Sequence, residues 1–153
     1  MRLSKKTEYA LRALFAIART SSPDREKAPW RIEQLSRQEN IPIKFLEQIL
    51  LSLRNAGLLA SKRGVGGGYR LIRRPEEISV GEVIRALDGP FTPLPCASPE
   101  ARRERCSCPD ERTCPLRVLM IEVQSRMESL LDGRTLDDVL REVPAPGALS
   151  FEI

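Results

Sequence analysis

IPIKFLEQILLSLRNAGLLASKRGVGGGYRLI, residues 41–72, is the stretch whose reading decides the fold. Pro42 suits the first turn of a helix, where its missing N–H would be unpaired in any case. Leu46, Ile49, Leu50 and Leu53 recur with the helical period and form one apolar stripe on a helix reaching about Asn55. Gly57 fits the left-handed position just past a helix end. Residues 58–63 read as a short strand, the glycine run Gly64-Val65-Gly66-Gly67-Gly68 as a loop, and residues 69–72 as an alternating return strand. Upstream, residues 31–38 form a short helix with Ile32 and Leu35 inward, followed by a turn at Glu39-Asn40-Ile41. Short helix, tight turn, second helix and β-hairpin together make a winged helix-turn-helix.

The flanks extend this core. Ser4 can cap a helix over residues 5–19, whose Ala10, Leu11, Leu14, Ile17 and Ala18 share a face. Residues 20–29 are polar and predict a loop. Ser79-Val80-Gly81-Glu82 matches a capping box that opens a helix carrying Val83, Ile84 and Leu87, and Asp88-Gly89-Pro90 stops it. Residues 91–113 are irregular, with proline at 93, 95, 99 and 109, and a loop that long in a compact chain is usually functional or disordered. Cys114-Pro115 begins a long helix. Its Leu116, Met120, Val123, Met127 and Leu130 step by four and three, a coiled-coil seam for which a second copy of the chain is the obvious partner. Gly133 ends that helix, and Thr135 caps a short one through Glu142. The expected organisation is a winged helix-turn-helix over 1–90, a cysteine-bearing loop over 91–114, a dimerisation helix with a short return helix over 115–143, and a tail over 144–153. The fold class is mostly α.

Composition narrows the function. Aromatic residues are 5% of the 153, so the core must be aliphatic. A net charge of +4 permits nucleic-acid binding without demanding it. The charge is concentrated, however: Lys62, Arg63, Arg70, Arg73 and Arg74 lie within thirteen residues, on the hairpin beside the helix-turn-helix. The N-terminus lacks the apolar core and cleavage site of a signal peptide, and no apolar run approaches membrane-spanning length. A cytoplasmic protein with no membrane partner is expected. There is no histidine, no paired-carboxylate motif and no phosphate-loop signature, so an enzyme is not expected.

Four cysteines, Cys96, Cys106, Cys108 and Cys114, fall within nineteen residues. In a reducing compartment such clustering favours metal binding or redox sensing over a structural disulfide. The spacing lacks the close Cys-x2-4-Cys pairs of zinc ribbons. Cys114 stands at a helix N-terminus, which favours the thiolate as ligand or nucleophile. Arg102, Arg103, Arg105 and Arg112 act in the same direction, offset by Glu100, Glu104, Asp110 and Glu111. The residues alone leave open a metal or cluster site, a thiol switch pairing Cys106 or Cys108 with Cys96 or Cys114, and a zinc-stapled structural or interaction protein.

Five segments resemble one family. They are MRLSKKTEYALRAL (1–14), IPIKFLEQIL (41–50), LRNAGL (53–58), SKRGVGGGYRL (61–71) and ISVGEVI (78–84). All look like Rrf2-type bacterial transcription regulators, and the resemblance covers about residues 1–143. It implies a homodimer that binds double-stranded DNA at a palindromic operator. It also implies that Ile43, Lys44, Glu47 and Gln48 open the recognition helix in the major groove. Glu47 would accept from a cytosine amino group, Gln48 would pair with adenine, and Lys44 would touch phosphate. Arg63 would enter the minor groove, with Gly64 and Gly66 allowing close approach, and Lys62 beside it would also bind DNA. Ser4 and Lys5 would hold phosphates.

The same resemblance extends to the cysteines, which are similar to the ligands of cluster-binding family members and imply a [2Fe-2S] or [4Fe-4S] iron–sulfur cluster. Cys108-x5-Cys114 matches the family spacing. Cys106 is the more ambiguous ligand, and the gap from Cys96 is long. A histidine used by some members is replaced by Arg117 here. Others use a carboxylate on the first helix, supplied across the dimer, and Glu8 occupies that place. The implied ligand set is therefore three cysteines with Glu8, or all four cysteines. The expected function is a transcriptional regulator whose operator affinity follows redox state, nitric oxide or iron supply.

Overall fold

A computed structural model describes residues 3–20, 28–97, 108–110 and 112–144. Helix α1 (Lys5–Thr20) opens at Ser4, whose hydroxyl oxygen accepts from the Thr7 N–H at 3.1 Å. Helix α2 (Ile32–Glu39) ends at Asn40, which takes the left-handed conformation at φ 50°. Asparagine tolerates that region better than most residues, and it lets the chain reverse directly into α3 (Ile43–Asn55). Leu46, Ile49, Leu50 and Leu53 of α3 are fully buried. They meet Ala10, Leu14 and Ile17 of α1 and Leu35 of α2 in one aliphatic core. Each such leucine or isoleucine contributes roughly 1.5–3 kcal/mol when buried.

Gly57, at φ 73°, turns the chain out of α3 into strand β1 (Leu59–Lys62). β1 pairs antiparallel with β2 (Gly68–Leu71), in register from Leu59 opposite Leu71 to Lys62 opposite Gly68. Trp30 extends this ribbon. Its N–H donates to the Tyr69 carbonyl at 2.9 Å, and the Tyr69 N–H donates back at 2.8 Å. The approach is so close that a Cβ on Gly68 would sit 2.5 Å from the Trp30 carbonyl oxygen. The Trp30 indole N–H also donates to the Thr20 hydroxyl at 2.7 Å, tying the wing to the end of α1. A single bridging residue has no periodicity, so the sequence pattern did not announce it.

Helix α4 (Val80–Asp88) starts with half of the expected capping box. The Ser79 hydroxyl oxygen accepts from the Glu82 N–H at 3.1 Å, but the Glu82 carboxylate pairs with Arg73 instead of returning to the cap. A charged partner outcompetes a backbone amide. Helix α5 (Pro115–Asp132) lies against α4, and Gly81 makes the contact possible: a Cβ there would fall 2.0 Å from Asp132 Oδ1. Arg85 pairs with Asp132 at 2.8 Å across the same junction.

The expected boundary between a DNA-binding unit and a helical extension is crossed by helix α6 (Leu136–Glu142). Leu136 is fully buried in the same core as Leu14, and its N–H donates to the Ile78 carbonyl at 2.9 Å. The chain leaves the head for α5 and then returns to it. The expected seam is also divided. Met120, Val123 and Met127 are half-buried toward Ile84 and Phe91 of their own chain, while Leu116 and Leu130 are 51% and 63% exposed. Helix α5 carries apolar residues on several sides, so spacing alone could not say which stripe meets α4.

Candidate nucleic-acid interface and cysteine loop

The α3 stripe that builds the core leaves its opposite side outward. Ile43, Lys44, Glu47 and Gln48 are all exposed in the first two turns of α3. The start of that helix is held from behind. The Phe45 ring meets Tyr9 of α1 edge-on, with centroids 5.7 Å apart, and the Arg12 guanidinium lies 5.4 Å from the Tyr9 centroid. Arg12 also pairs with Glu39 and donates to its backbone carbonyl. Helices α1, α2 and α3 therefore meet in one polar and aromatic knot below the exposed tip of α3.

The wing follows α3 directly, with Arg54 donating to the Ser61 hydroxyl at 3.4 Å. Its tip is a tight turn in which the Gly67 N–H donates to the Gly64 carbonyl at 3.0 Å. Gly64 and Gly66 hold φ of 91° and 72°, a region that disfavours side chains, so both glycines are required by the turn. Val65 between them is fully exposed. Of the five clustered cations, Arg73 and Arg74 are paired with Glu82 and Glu77. Lys62, Arg63 and Arg70 are exposed, and among the described residues no carboxylate pairs with them. The sequence thus overstated the wing's positive charge by two and located the remainder correctly on the hairpin.

Ser4 and Lys5 are already engaged within the chain. The Ser4 hydroxyl donates to Asp88 Oδ1 at 2.6 Å and its N–H donates to Asp88 Oδ2 at 3.1 Å. Lys5 pairs with Glu8 at 2.8 Å. The N-terminus of α1, which attracts anions, holds the last residue of α4. That residue is also where the chain departs toward the cysteines. Just beyond it lies a cavity of about 510 Å³, lined by Leu3, Ile84, Asp88, residues 89–93, Met120, Val123 and Met127.

Three of the four cysteines are described, and Cys106 lies outside the described residues. Asp110 folds the approach to α5: its carboxylate accepts from the Arg112 N–H at 2.9 Å and from the Thr113 hydroxyl at 3.1 Å. The result places Cys108 Sγ 3.5 Å from Cys114 Sγ at the N-terminus of α5. That distance is far beyond a disulfide bond, about 2.05 Å. It is near the separation of about 3.8 Å expected for two thiolates sharing one tetrahedral metal with bonds of about 2.3 Å. Cys96 approaches the same helix end, where its carbonyl accepts from Arg117 Nε at 2.9 Å. Glu8 is half-buried on α1, and among the described residues no three cysteine or carboxylate side chains come together as a ligand set within one chain. The separation of Cys108 and Cys114 is compatible with two thiolates sharing one metal.

Residues 3–142 match the family model Rrf2, described as an iron-dependent transcriptional regulator. The chain is 41% identical over 138 residues to a Rhodobacter capsulatus protein named as an rrf2-like HTH-type transcriptional regulator, covering 90% of this chain and 91% of that one. It is 35% identical to the HTH-type transcriptional regulator IscR of Aliivibrio salmonicida, covering 92% of this chain and 77% of the relative. Among solved structures it resembles CymR, the global cysteine regulator of B. subtilis, with a TM-score of 0.74 at 28% identity, covering 94% of this chain and 99% of the other.

Proposed function

The chain belongs to the Rrf2 family of DNA-binding transcriptional regulators, which are not enzymes, and from that premise we propose that its operator affinity is set by an iron–sulfur cluster on the cysteine loop. The observation that carries this reading is the pair Cys108 and Cys114, 3.5 Å apart where the loop enters α5. Those two sulfurs would be cluster ligands. Cys96, Cys106 and Glu8 of the partner subunit are the candidates for the remaining positions. When bound, the cluster supplies thiolate-ligated iron that responds to oxidants, nitric oxide and iron supply.

What the chain's own residues contribute is connection. The loop runs from Asp88, which is hydrogen-bonded to the first turn of α1, to Cys114, which begins α5. A group held by Cys108 and Cys114, at the N-terminus of α5, would bear on how α5 sits against the head. A homodimer formed along α5 would convert that angle into the spacing of two recognition helices on a palindromic operator. A bound group shifts the equilibrium only through different affinity for the two arrangements.

Anaerobic purification followed by visible spectroscopy, with iron and sulfide analysis, tests the cluster. A brown protein with acid-labile sulfide is expected, and Cys114→Ala should lose the absorption while keeping its helical circular dichroism. An unchanged spectrum in Cys114→Ala would remove Cys114 from the site. The same 3.5 Å separation also favours a second reading, a thiol–disulfide switch, because the two sulfurs are already neighbours and an external oxidant that takes up two electrons would join them. A colourless protein that loses two thiols reversibly on oxidation would select that reading.

A further inference from the structure

Ile43 is a large aliphatic side chain in the first turn of α3, and it is 43% exposed. It shares the outer side of that helix with Lys44, Glu47 and Gln48. Its position is rigid. Pro42 precedes it with φ −56°, α3 begins at Ile43 itself, and Phe45, two residues further on, is pinned against Tyr9. A β-branched side chain is stiff at its first torsion, so the apolar group stays close to the helix start that carries it. Exposed aliphatics are ordinary on protein surfaces. An aliphatic group beside Glu47 and Gln48, the residues read as meeting base edges, has a specific counterpart, since the apolar group that bases present on the floor of the major groove is the C5-methyl of thymine.

We infer that Ile43 reads a thymine methyl in each operator half-site, beside the base pair met by Glu47, which lies one helical turn along the same edge. The inference rests on the DNA-binding reading of α3 and adds the base that this surface selects. Cytosine in that position lacks the methyl group, and a purine presents a polar edge. Ile43 therefore discriminates by contact area where its neighbours discriminate by hydrogen bonds.

The test uses the full-length, anaerobically purified protein and an operator obtained by in vitro selection. Each thymine of one half-site is replaced in turn by deoxyuridine, which differs only by the methyl group, and affinity is read by fluorescence anisotropy. One thymine should prove sensitive, with binding weakened about three- to tenfold, the effect of one methyl contact. Ile43→Ala should show a similar loss on the thymine operator and no further loss on the deoxyuridine operator. Ile43→Val should recover part of the discrimination. Leu51→Ala, altering another exposed aliphatic further along α3, should keep the full thymine preference. The inference is overturned if no thymine is methyl-sensitive, or if Ile43→Ala still distinguishes the two operators. Failure to select any DNA would instead overturn the underlying reading of α3.

Discussion

Asp88 occupies the place at the head of α1 where an anion is most welcome. Burial pushes its carboxyl up, but hydrogen bonds from the Ser4 hydroxyl and N–H and from Thr7, with the Lys6 charge nearby, outweigh that and hold it below the ordinary carboxylate range. A carboxyl lowered in the folded state stabilises the fold fully above the ordinary carboxylate range, and the contribution is lost as pH falls through the lowered folded value. Asp88→Asn should therefore cost about 1 kcal/mol at neutral pH, the worth of a charged hydrogen bond discounted for exposure. The gap from the parent protein should close in acid. Urea melts at neutral and acidic pH measure it; a gap that does not narrow in acid would mean Asp88 is not ionised in the fold. The capping role of Ser4 was legible from its position before an apolar helix. Its partnership with Asp88 was not, because the two are 84 residues apart and nothing in either local pattern refers to the other.

At the scale of elements, the helix-turn-helix and wing were readable almost residue by residue. Pro42 and Gly57 bracket α3, and the glycine run marks a turn that only glycine fits at positions 64 and 66. Helix α5 was less legible. Its existence follows from Cys114-Pro115 and its apolar content, but Met120, Val123 and Met127 turn toward their own head. The exposed members of the same stripe are Leu116, Leu119 and Leu130, with Arg126 ion-paired to Glu122 beside them. If a second copy covers that stripe, the double variant Leu119→Glu, Leu130→Glu should sediment as a monomer while retaining its helical content. A variant that still sediments as a dimer would place the interface on another surface. The return of α6 to the core was missed for a physical reason: a seven-residue helix with one buried and one partly buried leucine has no pattern that names its partner.

For the whole molecule, the proposed control of DNA binding involves three places. They are the exposed Ile43, Lys44, Glu47 and Gln48, the Ser4–Asp88 link, and the paired sulfurs of Cys108 and Cys114 where the chain turns into α5. The cysteines were visible in the sequence as a cluster. The closeness of Cys108 to Cys114 was not, because it depends on the Asp110 turn between them. The most direct test of that control is the dissociation constant of one selected operator, measured anaerobically for the purified protein before and after iron removal at fixed salt. Control of DNA binding by the cysteine loop predicts at least about a tenfold change, a coupling of about 1.4 kcal/mol, with Cys114→Ala fixed at the iron-free value. Equal affinity in both states, with the visible spectrum lost between them, would contradict it.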